Sequence, residues 1–109
     1  MNYQKCIDAC TQCAADCEAC LAAMMGKQSH NDCPRCCREC VEICTLCVRA
    51  MQRKSPFVQQ YCQVCAQVCQ WCAEQCEDHD HDHCQRCAAS CRKCVEACYE
   101  MVGEMSGMA

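Results

Sequence analysis

Residues 6–20 read CIDACTQCAADCEAC, and the five cysteines of this stretch are separated by four, three, four and three positions. An α-helix has about 3.6 residues per turn, so this spacing places all five side chains on one face. The stretch therefore predicts a helix with a stripe of thiols along one side.

The same spacing recurs in three further blocks, and the second block carries one additional cysteine. These are the positions at which a helical bundle normally places leucine or isoleucine. We predict an all-α protein: a single domain spanning residues 1–109, folded as an antiparallel up-down-up-down four-helix bundle with a cysteine-lined core. The cysteines of the four blocks are Cys6, Cys10, Cys13, Cys17 and Cys20; Cys33, Cys36, Cys37, Cys40, Cys44 and Cys47; Cys62, Cys65, Cys69, Cys72 and Cys76; and Cys84, Cys87, Cys91, Cys94 and Cys98.

Capping residues, prolines and glycines predict where the four helices begin and end. Each helix should be about 20 residues long, and the short connections between helices of similar length favour antiparallel neighbours. The predicted helices run from Tyr3 to Met25, capped by Asn2 and stopped by Gly26; from Asn31 or Asp32 to Lys54, with Pro34 in the first turn; from Ser55-Pro56 to Glu77; and from the Asp78–Asp82 connection to Val102, before Gly103.

The composition excludes several classes of function and makes the cysteines the main core residues. The net charge is −4, which gives no reason to expect nucleic acid or an anionic membrane as a partner. Only 12 of the 109 residues are Leu, Ile, Val or Phe, so cysteine must fill the interior as a small apolar side chain. Neither a secretory signal nor a membrane-spanning segment is predicted, and we expect a cytoplasmic protein with reduced thiols.

A core of thiols points to soft metal ions, and charge discriminates among them. Thiolates select Cu(I), Zn(II) or iron–sulfur clusters. Zinc held by four thiolates leaves a net charge of −2, so filling this core with zinc would bury about ten uncompensated charges. One Cu(I) per thiolate leaves the interior close to neutral. We therefore predict a high-capacity Cu(I) storage protein, binding many ions at about one Cu(I) per cysteine, and we predict no enzymatic activity.

The chain also resembles the cysteine-rich four-helix-bundle copper storage protein family, in the branch without an export signal. The likeness rests on the cysteine spacing, on the Ser55-Pro56-Phe57 junction and on the run HDHDHCQRCA at residues 79–88. It implies Cu(I) bound by the stripe cysteines, a homotetramer of bundles, and exchange with cytosolic copper carriers. Cys36 and Cys37 are adjacent, so their side chains diverge by about 100° and at least one should lie at the edge of the core.

The two ends of the predicted bundle differ in chemistry. One end is closed by bulky, mostly apolar residues, whereas the other gathers every histidine of the chain and suggests a landing site for entering metal. The alternative is that the Asp/His connection is a soluble loop, or binds adventitious Zn(II) or Ni(II). The predicted plug is Tyr3, Met51, Val58 and Met101, and the predicted metal-entry residues are Met24, His30, His79, His81 and His83.

Two other functions and one structural question stay open at this level. A metallothionein-like Zn(II)/Cd(II) buffer would use the same thiols. A thiol redox-responsive protein would need one or two distinct cysteines, and Cys33 and Cys84, near helix N-termini, are the local candidates for a lowered pKa. A second apolar stripe on helix 3 could seal the seams between helices or form an oligomer interface; it comprises Phe57, Tyr61, Val64, Val68 and Trp71.

Overall fold

The structure, a computed structural model, describes residues 2–107 and is all-helical, with no strand over that range. This confirms the predicted fold class. The helices are α1 (Gln4–Ala23), α2 (Arg35–Gln52), α3 (Val58–Glu77) and α4 (Asp82–Gly107).

Cross-helix pairs of sulfur atoms establish the antiparallel arrangement. The Sγ atoms of Cys6 and Cys98 are 3.8 Å apart, so the start of α1 meets the end of α4. At the other end of the same pair, Cys20 lies 3.7 Å from Cys84. Each helix packs against two others in the cyclic order α1, α2, α3, α4. The result is an elongated up-down-up-down bundle measuring 46 × 20 × 17 Å.

Some of the predicted boundary signals operate as expected, but the predicted start of the second helix is wrong: α2 begins at Arg35, so Pro34 precedes the first turn and Asn31 and Asp32 do not cap it. Asn2 Oδ1 accepts a hydrogen bond from the backbone N–H of Gln4 at 2.9 Å, but α1 begins at Gln4 and its N-cap position is Tyr3, one residue later than predicted. Gly26 follows α1 with a φ of +80°, the left-handed conformation that favours glycine. Ser55 Oγ accepts from the N–H of Phe57, although α3 itself begins only at Val58, later than predicted.

The prediction for the end of the last helix is wrong. Gly103 was expected to stop it after Val102, but α4 continues to Gly107. Among residues 2–107, Gly26 has a positive φ and Gly103 does not, so Gly103 keeps an ordinary helical backbone. A glycine ends a helix when the chain uses its left-handed conformation; otherwise it is tolerated in the interior at a cost of about 1 kcal/mol.

Apart from the thiols, the core is made of small and flexible apolar side chains. The predicted plug is present, since Met51, Val58 and Met101 are buried and Tyr3 is partly buried against the core. These residues close the end of the bundle that holds the α2–α3 connection.

The apolar stripe on α3 lies partly in the helix seams. Tyr61, Val68 and Trp71 are partly buried and pack against the core. Phe57 and Val64, by contrast, are 54% and 46% exposed. The seam interpretation therefore holds for three of the five side chains and leaves two facing outward.

Candidate metal centre

The 21 cysteines form one continuous sulfur core. All are free thiols, and none is more than 1% exposed. Around the middle of the bundle, Cys13 Sγ lies 3.5 Å from Cys40 and 3.7 Å from Cys91, and Cys40 Sγ lies 3.3 Å from Cys69. These three contacts bring sulfur atoms from all four helices together, as the stripes predicted.

Sets of four thiols share members along the bundle axis. In each set the sulfur atoms lie within 4.8 Å of one another, and Cys13 and Cys40 each belong to at least two sets. A shared thiol can bridge metal ions held in neighbouring sets, so the arrangement suits polynuclear metal–thiolate chemistry. The sets include Cys10, Cys65, Cys94 and Cys98; Cys13, Cys40, Cys44 and Cys69; Cys13, Cys17, Cys40 and Cys91; Cys17, Cys72, Cys87 and Cys91; and Cys20, Cys37, Cys76 and Cys87.

The surroundings of the sulfur core favour a monovalent ion. The buried apolar side chains are cysteine, alanine, methionine and valine, and the buried polar ones in the described part of the chain are His79 and Ser90, so no lysine or arginine is buried there. A Zn(II) tetrathiolate would place its net charge of −2 in this apolar interior without compensation. Cu(I) at one ion per bridging thiolate leaves no net charge to bury.

The adjacent cysteines Cys36 and Cys37 on α2 point in different directions, because neighbouring residues on a helix are about 100° apart. Cys37 Sγ faces the core, 3.7 Å from Cys76 and 3.8 Å from Cys87. Cys36 is equally buried, but its Sγ lies 4.0 Å from the backbone carbonyl oxygen of Cys72, in the seam between α2 and α3. Cys36 is thus the thiol at the edge of the core.

All four histidines gather at the end of the bundle where α1 stops and α4 begins, and we call this end the mouth. The ring centroids of His30 and His79 are 4.6 Å apart, and those of His81 and His83 are 5.0 Å apart. His83 Nδ1 lies 3.5 Å from the sulfur atoms of both Cys20 and Cys84.

Met24 also lies at the mouth, with its Sδ 4.0 Å from Cys84 Sγ. One imidazole and one thioether therefore contact the outermost thiols directly. Both side chains are suitable ligands for a soft monovalent ion.

The family model for copper storage proteins matches residues 1–103. The chain belongs to the copper storage protein family. That assignment agrees with the sulfur core, since the matched region contains every cysteine of the chain.

Individual relatives share both sequence and fold. The uncharacterized cysteine-rich protein YhjQ of Bacillus subtilis (strain 168) is 44% identical over 83 residues, covering 73% of this chain and 77% of the relative. The Cu(I)-bound copper storage protein BsCsp3 superimposes with a TM-score of 0.88 at 41% identity, covering 93% of this chain and 99% of the other. A cytosolic copper storage protein from Streptomyces lividans, described with five coppers during copper loading, gives 0.86 at 32% identity, with 93% and 92% coverage.

The pKa values of two thiols at the mouth of this copper storage protein are shifted in opposite directions. Hydrogen bonding by neighbouring thiols, first that of Cys20, lowers the pKa of Cys33 to about 3. Burial raises the pKa of Cys84, and like charge at Cys20 raises it further. The expected direction is correct for Cys33 and wrong for Cys84, because desolvation outweighs the helix N-terminus there.

His79 differs from the other three histidines in its surroundings. It is buried, and its Nε2 lies 3.0 Å from Asn31 Oδ1 and 3.1 Å from Ser29 Oγ. His30 and His81 are exposed, and His83 is half-buried. The sequence placed all four at one end but did not show that Ser29 and Asn31 would engage one of them, because the path of a loop across the bundle end has no periodic signal.

Proposed function

We propose that this protein stores Cu(I) in its core, at about one ion per cysteine and without chemical turnover. The observation that carries the proposal is the uninterrupted core of 21 buried thiols, arranged in sets that share members. Catalysis needs a distinct nucleophile, base or open metal site in a shaped pocket. Equivalent thiols repeated along four helices provide capacity instead.

Anaerobic titration of the reduced protein, followed by gel filtration and elemental analysis, tests this function. We expect close to 21 copper ions per chain. About five zinc ions per chain, one for every four thiols, would support the Zn(II)/Cd(II) buffer instead. Failure to retain any metal while forming disulfides with peroxide would support the redox-responsive alternative. A competing titration with Cu(I) and Zn(II) together keeps the two metal hypotheses distinct.

We further propose that copper passes through the mouth. His83 and Met24 contact the outermost thiols there, whereas Met51, Val58 and Met101 fill the opposite end. Replacing His30, His81 and His83 with alanine should slow loading from a Cu(I) donor and leave the final stoichiometry unchanged. Met101→Phe is the matched control at the opposite end, and slowed loading in that variant alone would identify it as the entrance.

The relatives also bear on the setting in which the protein acts. No helix in the described part of the chain is long and apolar enough to span a membrane. We propose that the protein acts in the cytosol, as the Streptomyces lividans relative does by its description, and that it exchanges Cu(I) with cytosolic copper carriers.

We propose a homotetramer assembled through the outward apolar residues. A surface groove between α2 and α3 is lined by four apolar side chains and two carboxylates: Ile43, Leu46, Val64, Val68, Glu39 and Glu42. Light scattering coupled to gel filtration should give four times the chain mass for the unmodified protein. Val64→Glu should reduce that mass while leaving copper capacity per chain intact, and an unchanged mass would place the interface elsewhere.

A further inference from the structure

The sulfur core is closed at the mouth as well as at the plugged end. Cys20, Cys33 and Cys84 are at most 1% exposed, and Met24, which lies against Cys84, is 1% exposed. An ion that arrives at the mouth, whether from a donor or by way of His83, must still reach one of these buried sulfur atoms. Because the thiols are at most 1% exposed, part of the mouth has to move before loading begins.

Two loops meet over the mouth. One connects α1 to α2 and carries Ser29 and Asn31, and the other connects α3 to α4 and carries His79. The imidazole Nε2 of His79 lies 3.0 Å from Asn31 Oδ1 and 3.1 Å from Ser29 Oγ. His79 is 5% exposed, so this contact between the loops is shielded from water.

The hydrogen bonds around Asn31 fix the direction of its bond to His79. Asn31 Nδ2 donates to the carbonyl oxygen of Gln75 at 2.8 Å, which turns Oδ1 towards the imidazole. Oδ1 can only accept, so His79 Nε2 must carry the hydrogen and donate it. A nitrogen that donates this hydrogen has no lone pair for a metal ion. His79 Nε2 can therefore hold the two loops together or bind copper, but not both at once.

Both loops are also anchored to the helices beside them. Asp32 N–H donates to Gln75 Oε1 at 2.9 Å, which ties the first loop to the end of α3. Gln85 Nε2 donates to the backbone carbonyl oxygen of His79 at 2.6 Å, which ties the second loop to α4. Removing the His79 imidazole would break its hydrogen bonds to Asn31 and Ser29 and its ring contact with His30. The loops would then be free of each other, while the bonds made by Gln75 and Gln85 kept each loop anchored.

We propose that Ser29, Asn31 and His79 form a latch that keeps the mouth closed, and that opening of this latch sets the rates at which Cu(I) enters and leaves. The inference rests on the proposed function and on entry at the mouth. His79 is in this account a positioning residue, distinct from His83, which contacts the thiols themselves. The latch should change the rates of exchange and leave the number of bound ions unchanged.

The test compares Asn31→Ala and His79→Ala with the unmodified protein. Loading is followed by stopped flow from a chromophoric Cu(I) chelate, and release by excess chelator. A net hydrogen bond is worth a factor of about 5 in an equilibrium constant, so each variant should load and release at least about 5-fold faster. The effects of the two substitutions should be less than multiplicative in the double variant, because both break the bond between Asn31 and His79. Asn31→Asp keeps the acceptor for His79 and should restore slow exchange.

A second measurement needs no copper. Iodoacetamide alkylates exposed thiolates, so modification of the apo protein should begin earlier at Cys20 and Cys84 in the latch variants, as located by peptide mass spectrometry. Circular dichroism melts must show that the variants remain folded at the assay temperature. Equal alkylation rates in folded variants and unmodified protein would overturn the proposal.

The results of these experiments distinguish the latch from the storage function and from entry at the mouth. Gln28→Ala is the matched control, an exposed side chain in the loop that carries Asn31. Slower loading in His79→Ala with no change in Asn31→Ala would make His79 a metal ligand and overturn the latch. Slower loading in His83→Ala with normal rates in both latch variants would support the mouth and reject the latch. An unmodified protein that retains no copper would reject the storage function itself.

Discussion

Replacing Cys40 and Cys44 with serine should reduce copper capacity by about two ions and leave the remainder of the core functional. Cys40 Sγ lies 3.5 Å from Cys13 and 3.3 Å from Cys69, and Cys44 Sγ lies 3.7 Å from both Cys65 and Cys69. The thiols that contact Cys40 and Cys44 therefore also contact other thiols of the core.

The magnitude follows from how bridging thiolates share metal. When each thiolate bridges two Cu(I) ions and each ion binds two thiolates, 21 thiolates hold about 21 ions. Removing two thiolates removes about four metal–sulfur bonds, which is the coordination of about two ions. The predicted capacity is therefore about 19 ions per chain.

Anaerobic titration against a chromophoric Cu(I) chelator gives the capacity, and elemental analysis after gel filtration gives an independent value. The matched control is Cys40→Ala with Cys44→Ala, which removes the same ligands without burying hydroxyl groups. An unsatisfied buried hydroxyl costs about 1–3 kcal/mol, so the serine variant should melt lower than the alanine variant while binding the same amount of copper. Loss of more than half of the capacity in the alanine variant would show that the core fills as one cooperative unit, and unchanged capacity would show that these thiols are not ligands.

Three further predictions concern stability and the edge of the core. A single site held at 1,000 times its dissociation constant adds about 4 kcal/mol, so Cu(I) should raise the melting temperature by at least about 16 °C, and equal midpoints would reject metal-linked stability. Burial raises the pKa of Cys84 in the folded protein. The protonated thiol therefore contributes fully to the free energy of unfolding below the pKa of an unfolded thiol, about 8.5. This contribution is lost as the pH rises through the higher pKa of the folded state. Melts between pH 7 and 11 should therefore show the apo protein weakening in alkali while the loaded protein does not, and parallel curves would contradict this. Cys36→Ala should lower capacity by less than the one ion expected for Cys37→Ala, because the Cys36 sulfur faces the carbonyl oxygen of Cys72; a loss of one ion by elemental analysis would place Cys36 among the core ligands.

The sequence predicted the helices and the sulfur core because both depend on a repeating pattern. The steps of three and four from Cys6 to Cys20 specify the helix and its buried face together. The same periodicity placed Met51 and Met101 at the closed end, where both are buried. Extending the stripes in the other direction placed all four histidines at the mouth.

Features without a period were predicted poorly. Gly103 satisfies the usual rule for a helix end, yet α4 passes through it, because residue type alone does not determine φ. The bond between Asn31 and His79 depends on how two loops cross the end of the bundle. The raised pKa of Cys84 depends on burial, which competes with the helix N-terminus and is not specified by spacing.

An elongated core with a single mouth has a consequence for the order in which its contents turn over. The plug of Met51, Val58 and Met101 lies at one end of a bundle 46 Å long. When exchange takes place only at the other end, ions near Cys20 and Cys84 equilibrate with the outside first, and those near Cys6 and Cys98 leave last. A fully loaded molecule then holds a rapidly available reserve and a deep one, although every ligand is the same chemical group. Brief exposure to a second copper isotope would label the first population and leave the second unlabelled.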